Sequence, residues 1–135
     1  MSGLLPNRAN PNDAGFLTCL DKCFRPEIQH DWPGIINPAN KESDAWVARV
    51  GGLYVGYLVL AKEAALAYPT DQFVNPRYET YDDQNVAKAL LDKATDLLLI
   101  KEGVVVLGQA PEVPSAFEVP EMVPVIPIRG LQPQA

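Results

Sequence analysis

The clearest hydrophobic rhythm in the chain lies between Val86 and Leu98. Val86, Leu90, Leu91, Ala94, Leu97 and Leu98 recur at the helical period, while Asp82, Asp83, Lys88, Asp92, Lys93 and Asp96 take the other side. The spacing predicts a helix over 81–101, opened by Thr80 and Asp83 as a capping pair and closed by Gly103. A shorter stripe of Phe16, Leu20, Cys23 and Phe24 predicts a helix over 13–25, capped by Asn12 or Asp13 and ended by Pro26. Trp32-Pro33-Gly34 and Asn37-Pro38 then read as turns. The apolar Trp32, Ile35 and Ile36 among them imply a loop lying against something greasy.

Residues 43–68 support two readings. As a helix, the stretch is capped by Ser43, stopped by Pro69, and lines up Ala48, Gly52 and Gly56 as a seam of small residues. As a hairpin over 46–60, Trp46–Val50 and Leu53–Val59 are rich in β-branched and aromatic residues around a Gly51-Gly52 turn. Glycine inside a helix costs ~1 kcal/mol against alanine, which favours the hairpin. The absence of polar alternation and the helix-forming run from Ala61 to Ala67 favour the helix, which is the preferred reading. Val104–Leu107 reads as a short strand.

Composition sharpens this picture through proline. The 13 prolines are about twice the usual share, with five from Pro6 to Pro38 and six from Pro111 to Pro133. Proline is excluded from helix interiors, so the ends are expected to be extended. The predicted fold is mainly α, with a small helical body of two to three helices over 43–102 and a hairpin at 46–60 as the variant. An N-terminal arm, 1–42, carries the helix 13–25 and a proline-rich loop. An extended Pro/Val-rich C-terminal arm, 103–135, begins with the strand near 104–107. Apolar residues interleaved with the later prolines make a strip that monomers avoid exposing, which implies cover by a partner.

The formal charge of −6 and pI of 4.6 argue against direct nucleic-acid binding, which needs a basic face. The apolar run Val50–Ala61 falls short of the ~20 residues of a membrane span, and Met1–Leu5 lacks the charged start of a signal peptide. A soluble protein is expected, with a virion among its settings.

Candidate chemistry is thin. His30, the sole histidine, stands beside Asp31, but sequence neighbours do not supply acid–base geometry, and an ordinary loop role is expected. Cys19 and Cys23 read as packing thiols, with an intermolecular disulfide or a metal shared between chains as alternatives. Gly51, Gly52 and Gly56 lack the context of a phosphate loop, and Asp82 and Asp83 read as favourable charges at a helix start. No catalytic, cofactor-binding or metal-binding residue is nominated, and no enzyme activity is expected. The functional expectation is a non-catalytic structural or assembly protein, an accessory virion protein such as a capsid decoration, neck or tail joint. Its interface with homo- or hetero-oligomeric neighbours would use Trp46, Gly52, Gly56, Val113, Phe117, Val119, Val123, Val125, Ile126 and Ile128. The alternative is a small adaptor binding one peptide or ligand through a Trp46–Tyr57 surface.

Overall fold

Gly51 and Gly52 take positive φ angles of 57° and 90°, the left-handed pair that a tight two-residue hairpin turn requires. They join β2 (Ser43–Val50) to β3 (Leu53–Glu63) in antiparallel register, with Val50 opposite Leu53. A second tight turn, in which Ala64 accepts a φ of 55°, folds β4 (Leu66–Val74) back onto β3. β1 (Leu4–Arg8) pairs antiparallel with the other edge of β2, and the short β7 (Val105–Val106) runs parallel to the first residues of β4. The sheet order is β1-β2-β3-β4-β7. This computed structural model describes residues 3–108.

Helices cover both faces of the sheet. α1 (Ala14–Phe24) and α2 (Trp32–Ile36) lie on one side, where Leu17, Leu20, Trp32 and Ile36 pack with Ala45, Val47, Tyr57 and Val59. On the other side α3 (Val86–Glu102) sends Val86, Leu90, Ala94 and Leu98 against Trp46, Ala48, Leu58 and Leu60. The alternation along β2 and β3 is therefore real, but both sets of side chains are buried. A bulge opposite Ala48/Arg49 leaves Val55 unpaired and places it with the α3-side core. Gly56 is required where it stands, because a Cβ there would come within 2.7 Å of the Phe73 carbonyl oxygen on β4.

The mainly α expectation is thus overturned: the fold is mixed α/β. Residues 43–68 are strands, because apolar faces on both sides erase the polar alternation that marks a half-exposed strand. The alanine-rich run supplies a strand end and a hairpin instead of helical turns, so tertiary pairing outweighs propensity. Residues expected as an N-terminal arm include β1, an edge strand of the sheet. The long helix starts at Val86 instead of residue 81, since β5 (Thr80–Tyr81) and β6 (Gln84–Asn85) form a miniature hairpin turning at Asp82 and Asp83, with φ of 56° and 62°. Asn85 caps α3 by accepting from the Lys88 N–H at 2.9 Å, and Gly103 ends it in the left-handed region. The expectations placed on 109–135 lie outside the described residues. No helix among the described residues is long and apolar enough to cross a membrane.

Candidate functional site

Proline at position 26 forces its predecessor out of helical geometry. Arg25 accordingly leaves α1 with φ of −141° and turns its side chain toward the sheet. Six residues later Asp31 caps α2 by accepting from the Gly34 N–H at 3.2 Å, which seats Trp32 at 1% exposure. The segment between these two fixed points carries His30 over β3 and β4. There His30 Nε2 lies 2.6 Å from Asp71 Oδ2, a residue 41 positions away on β4.

The surroundings of this pair are built from charge and aromatic rings. Arg25 Nη1 donates to both Asp71 oxygens at 3.1 and 2.9 Å and to the Tyr57 hydroxyl at 2.8 Å. Tyr57 in turn donates to Asp21 Oδ1 at 2.6 Å, and Trp32 Nε1 donates to Asp21 Oδ2 at 3.0 Å. His30 stands 4.7 Å from the Trp32 ring centroid and edge-on to Tyr57 at 5.8 Å. Burial alone would raise the Asp71 carboxyl, but the hydrogen bonds from Arg25 and His30 outweigh it and hold it below its ordinary value. Burial, followed by the bond to Asp21, pushes the Tyr57 hydroxyl well above its ordinary value, so it stays protonated. Asp71 is therefore a fixed anion beside an oriented imidazole whose Nδ1 makes no hydrogen bond among the described residues. A cleft of about 230 Å³, lined by Thr18, Lys22, Gln29, His30 and Trp32 among others, opens next to it.

A second feature lies along β4. Because β7 pairs only with Leu66 and Ala67, β4 from Tyr68 to Val74 has no strand on its far side among the described residues. Between that edge and the start of α3 is an open polar cleft of about 390 Å³, lined by Gln72, Val74, Glu79, Thr80, Asn85 and Ala87. Gln72 crosses it, donating from Nε2 to the Ala87 carbonyl at 3.1 Å.

Of the residues singled out in the sequence, His30 belongs to this site, though its partner is Asp71 and not Asp31. Arg25, Asp21 and Asp71 were not singled out as site residues, and Tyr57 entered only as part of the expected Trp46–Tyr57 surface; of the three, only the arginine just before a helix-ending proline left a local mark. Trp46 is buried in the α3-side core, Gly52 sits in the exposed β2–β3 turn, and Gly56 lies against β4. Cys19 and Cys23 are exposed free thiols on α1. Val113, Phe117, Val119, Val123, Val125, Ile126 and Ile128 lie outside the described residues. Trp46 and Tyr57 are both fully buried, so the adaptor surface they were expected to form does not exist. Among the described residues no group of three or more His, Cys, Asp or Glu side chains could hold a metal ion.

Comparison with solved structures gives the fold its relatives. The chain superposes on the aminoglycoside acetyltransferase AAC(6')-Iy in complex with a CoA-linked bisubstrate analogue with a TM-score of 0.63 at 15% identity, covering 95% of this chain and 98% of that one. The ribosomal-protein-alanine N-acetyltransferase of Brucella melitensis biovar Abortus 2308 matches with a TM-score of 0.61 at 18% identity, 84% of each chain being covered. An aminoglycoside acetyltransferase from an uncultured soil metagenomic sample, in complex with sisomicin, matches with a TM-score of 0.60 at 21% identity over 92% of this chain and 94% of that one. No protein-family profile matches the sequence, and no curated protein does. The fold is thus GNAT-like, with a curled mixed sheet between helices. That finding overturns the expectation of a non-catalytic structural or virion protein with no enzyme activity; the apolar, proline-interleaved strip from which that expectation was drawn lies outside the described residues.

Proposed function

We propose that this chain is an acyltransferase that moves a small acyl group onto an amine, with His30 as the base and Asp71 as its orienting partner. The observation that carries this reading is the 2.6 Å bond between His30 Nε2 and Asp71 Oδ2, locked by Arg25. The likeness to acetyltransferases, two of which act on an aminoglycoside and one on a ribosomal-protein alanine by their names, supports the choice of reaction.

With neutral imidazole, Nε2–H donates to the Asp71 carboxylate and the lone pair is left on Nδ1, which has no hydrogen-bond partner among the described residues. An amine in the adjoining cleft attacks the acyl carbonyl carbon. A nitrogen–carbon bond forms, the bond from carbon to the leaving heteroatom breaks, and the nitrogen's surplus proton passes to Nδ1 and on to the leaving group. Asp71 stabilises the transient imidazolium without taking its proton. Tyr57 is no proton donor here, because Asp21 and Arg25 already engage its hydroxyl.

The decisive experiment measures acyl transfer to simple primary amines from donors with and without phosphate groups. His30→Gln should lower kcat by about 10²-fold or more, with the KM for the amine little changed and circular dichroism unaltered. Retention of the parental rate by that variant would end the proposal.

Solved neighbours of this fold hold CoA or a CoA conjugate, which raises the question of whether CoA fits here. Phosphates are held by free backbone N–H groups at helix starts or by cations. At the start of α3, which borders the open edge of β4, the Val86 N–H donates to the Glu79 carbonyl at 3.0 Å and the Lys88 N–H to Asn85. Glu79, Asp82 and Asp83 supply negative charge at the same place, and no glycine lies between Asn75 and Glu102 to let a backbone approach closely. The residues present do not fit the phosphates of CoA, and no step above runs through it.

A further inference from the structure

Resting on the acyl-transfer reading, we infer that the amine accepted at His30 belongs to a small free amino acid, whose carboxylate is held by Lys22. The cleft beside His30 has two walls. α1 supplies Thr18 and, one turn on, Lys22, while the loop that follows supplies Gln29 and His30. Its volume is about 230 Å³, room for on the order of eight waters at ~30 Å³ each. Sites for drug-sized ligands begin at ~300 Å³, so the part of a substrate that enters here is small.

Charge on those walls is unevenly available to a ligand. Asp21 also borders the cleft, but it is 4% exposed and both its oxygens are taken, Oδ1 by the Tyr57 hydroxyl and Oδ2 by the Trp32 indole. Asp71, the partner of His30, is matched by Arg25 at 2.9 Å. Glu27 and Asp31 flank the loop in sequence without lining the cleft. Lys22 lines it, is exposed, and forms no ion pair among the described residues. The charge that a bound molecule can touch is thus an ammonium, and its complement is an anion. Neutral groups fit the same assignment. Gln29 is exposed and its side-chain amide makes no hydrogen bond among the described residues, so its NH₂ can join Lys22 on a carboxylate. Thr18 donates its hydroxyl proton to the Ala14 carbonyl at 2.9 Å, so toward the cleft it can only accept, as from an amine N–H. An amine within reach of His30 and a carboxylate within reach of Lys22, joined by few carbons, describe an amino acid. A peptide amino terminus, whose carboxyl is spent in an amide, lacks the charge that Lys22 answers.

The test titrates the full chain with L-alanine and with L-alaninamide, which caps the carboxyl as a peptide bond would, and follows the backbone amide NMR signals of α1 and its following loop. L-Alanine should bind about fivefold or more tightly than the amide, and the ratio should shrink toward one as salt rises from about 0.05 to about 0.5 M. Lys22→Met should erase the ratio. Lys22→Arg should keep most of it; since Lys22 also complements the last carbonyls of α1, the pair of variants separates loss of charge contact from loss of helix stability. Lys93→Met, on α3 across the sheet, should leave the ratio unchanged. Equal binding of the two molecules, binding of neither, or a ratio that survives Lys22→Met overturns the inference. Turnover separates it from the reading beneath. Acylation of both molecules at equal kcat/KM leaves acyl transfer standing and removes the carboxylate. Salt-sensitive, Lys22-dependent binding of L-alanine with acylation of neither removes acyl transfer and leaves the ligand class standing.

Discussion

Tyr57→Phe isolates the buried polar network with the smallest change in shape. The hydroxyl donates to Asp21 Oδ1 at 2.6 Å and accepts from Arg25 Nη1 at 2.8 Å, and Asp21 is only 4% exposed. Losing it leaves one buried carboxylate oxygen and one guanidinium N–H without that partner. Hydrogen bonds to charged groups are worth ~1.5–3 kcal/mol, and an unmet buried partner adds ~1–3 kcal/mol. Two contacts soften the loss, since Arg25 keeps Asp71 and Asp21 keeps the Trp32 indole. The expected destabilisation is therefore about 2–3 kcal/mol, or roughly 10 °C in Tm for a domain of this size. Urea unfolding followed by tryptophan fluorescence is the assay, Trp32 lying 4.8 Å from the Tyr57 ring. The midpoint should fall with the slope unchanged, and a cycle with Asp21→Asn should return a coupling of about 1 kcal/mol or more. A loss under about 0.5 kcal/mol, the level of an ordinary surface substitution, would mean that water replaces the hydroxyl and that the network is not dry.

Two further substitutions probe the frame around it. Gly56→Ala would put a methyl 2.7 Å from the Phe73 carbonyl oxygen, so β3 and β4 must part, at about 1–3 kcal/mol; amide exchange along β4 should quicken while that of α3 changes less. Asp71→Asn tests the pH dependence. The Asp71 carboxyl sits below its ordinary value of 3.8, so its contribution is complete above that value and is lost as the pH falls through the lowered folded value. The stability gap between the parent and Asp71→Asn should accordingly be widest near neutrality and should close below about pH 4; a gap that stays constant down to pH 2 refutes the assignment.

α3 was legible in the sequence because one of its faces meets water. Its apolar residues repeat against charges, and Gly103 marks its end. β2 and β3 were obscured for the opposite reason. Trp46 and Ala48 face α3 while Ala45 and Val47 face α1 and α2, so every position reads as apolar and periodicity is lost. Gly51-Gly52 was the honest signal of a hairpin there, and the following alanines drowned it. The site was harder still. His30 and Asp71 meet across 41 residues of chain, and nothing near either residue announces the other. They are brought together by a helix end at Pro26, a cap at Asp31 and the register that lays Asp71 opposite Val59.

β1 is tied down at its end, where Arg8 grips Asp44 on β2 and Glu102 in the last turn of α3. Were a load hung on the chain's beginning to peel Leu4–Arg8 away, the main-chain groups of Ser43–Val50 would be bared along one side of a strand rich in aliphatic side chains. Such an edge is a ready template for a foreign strand. A tag placed ahead of Leu4 is thus a greater threat to solubility than its own chemistry would imply, and weakening the Arg8 grip should make the protein clump before it unfolds.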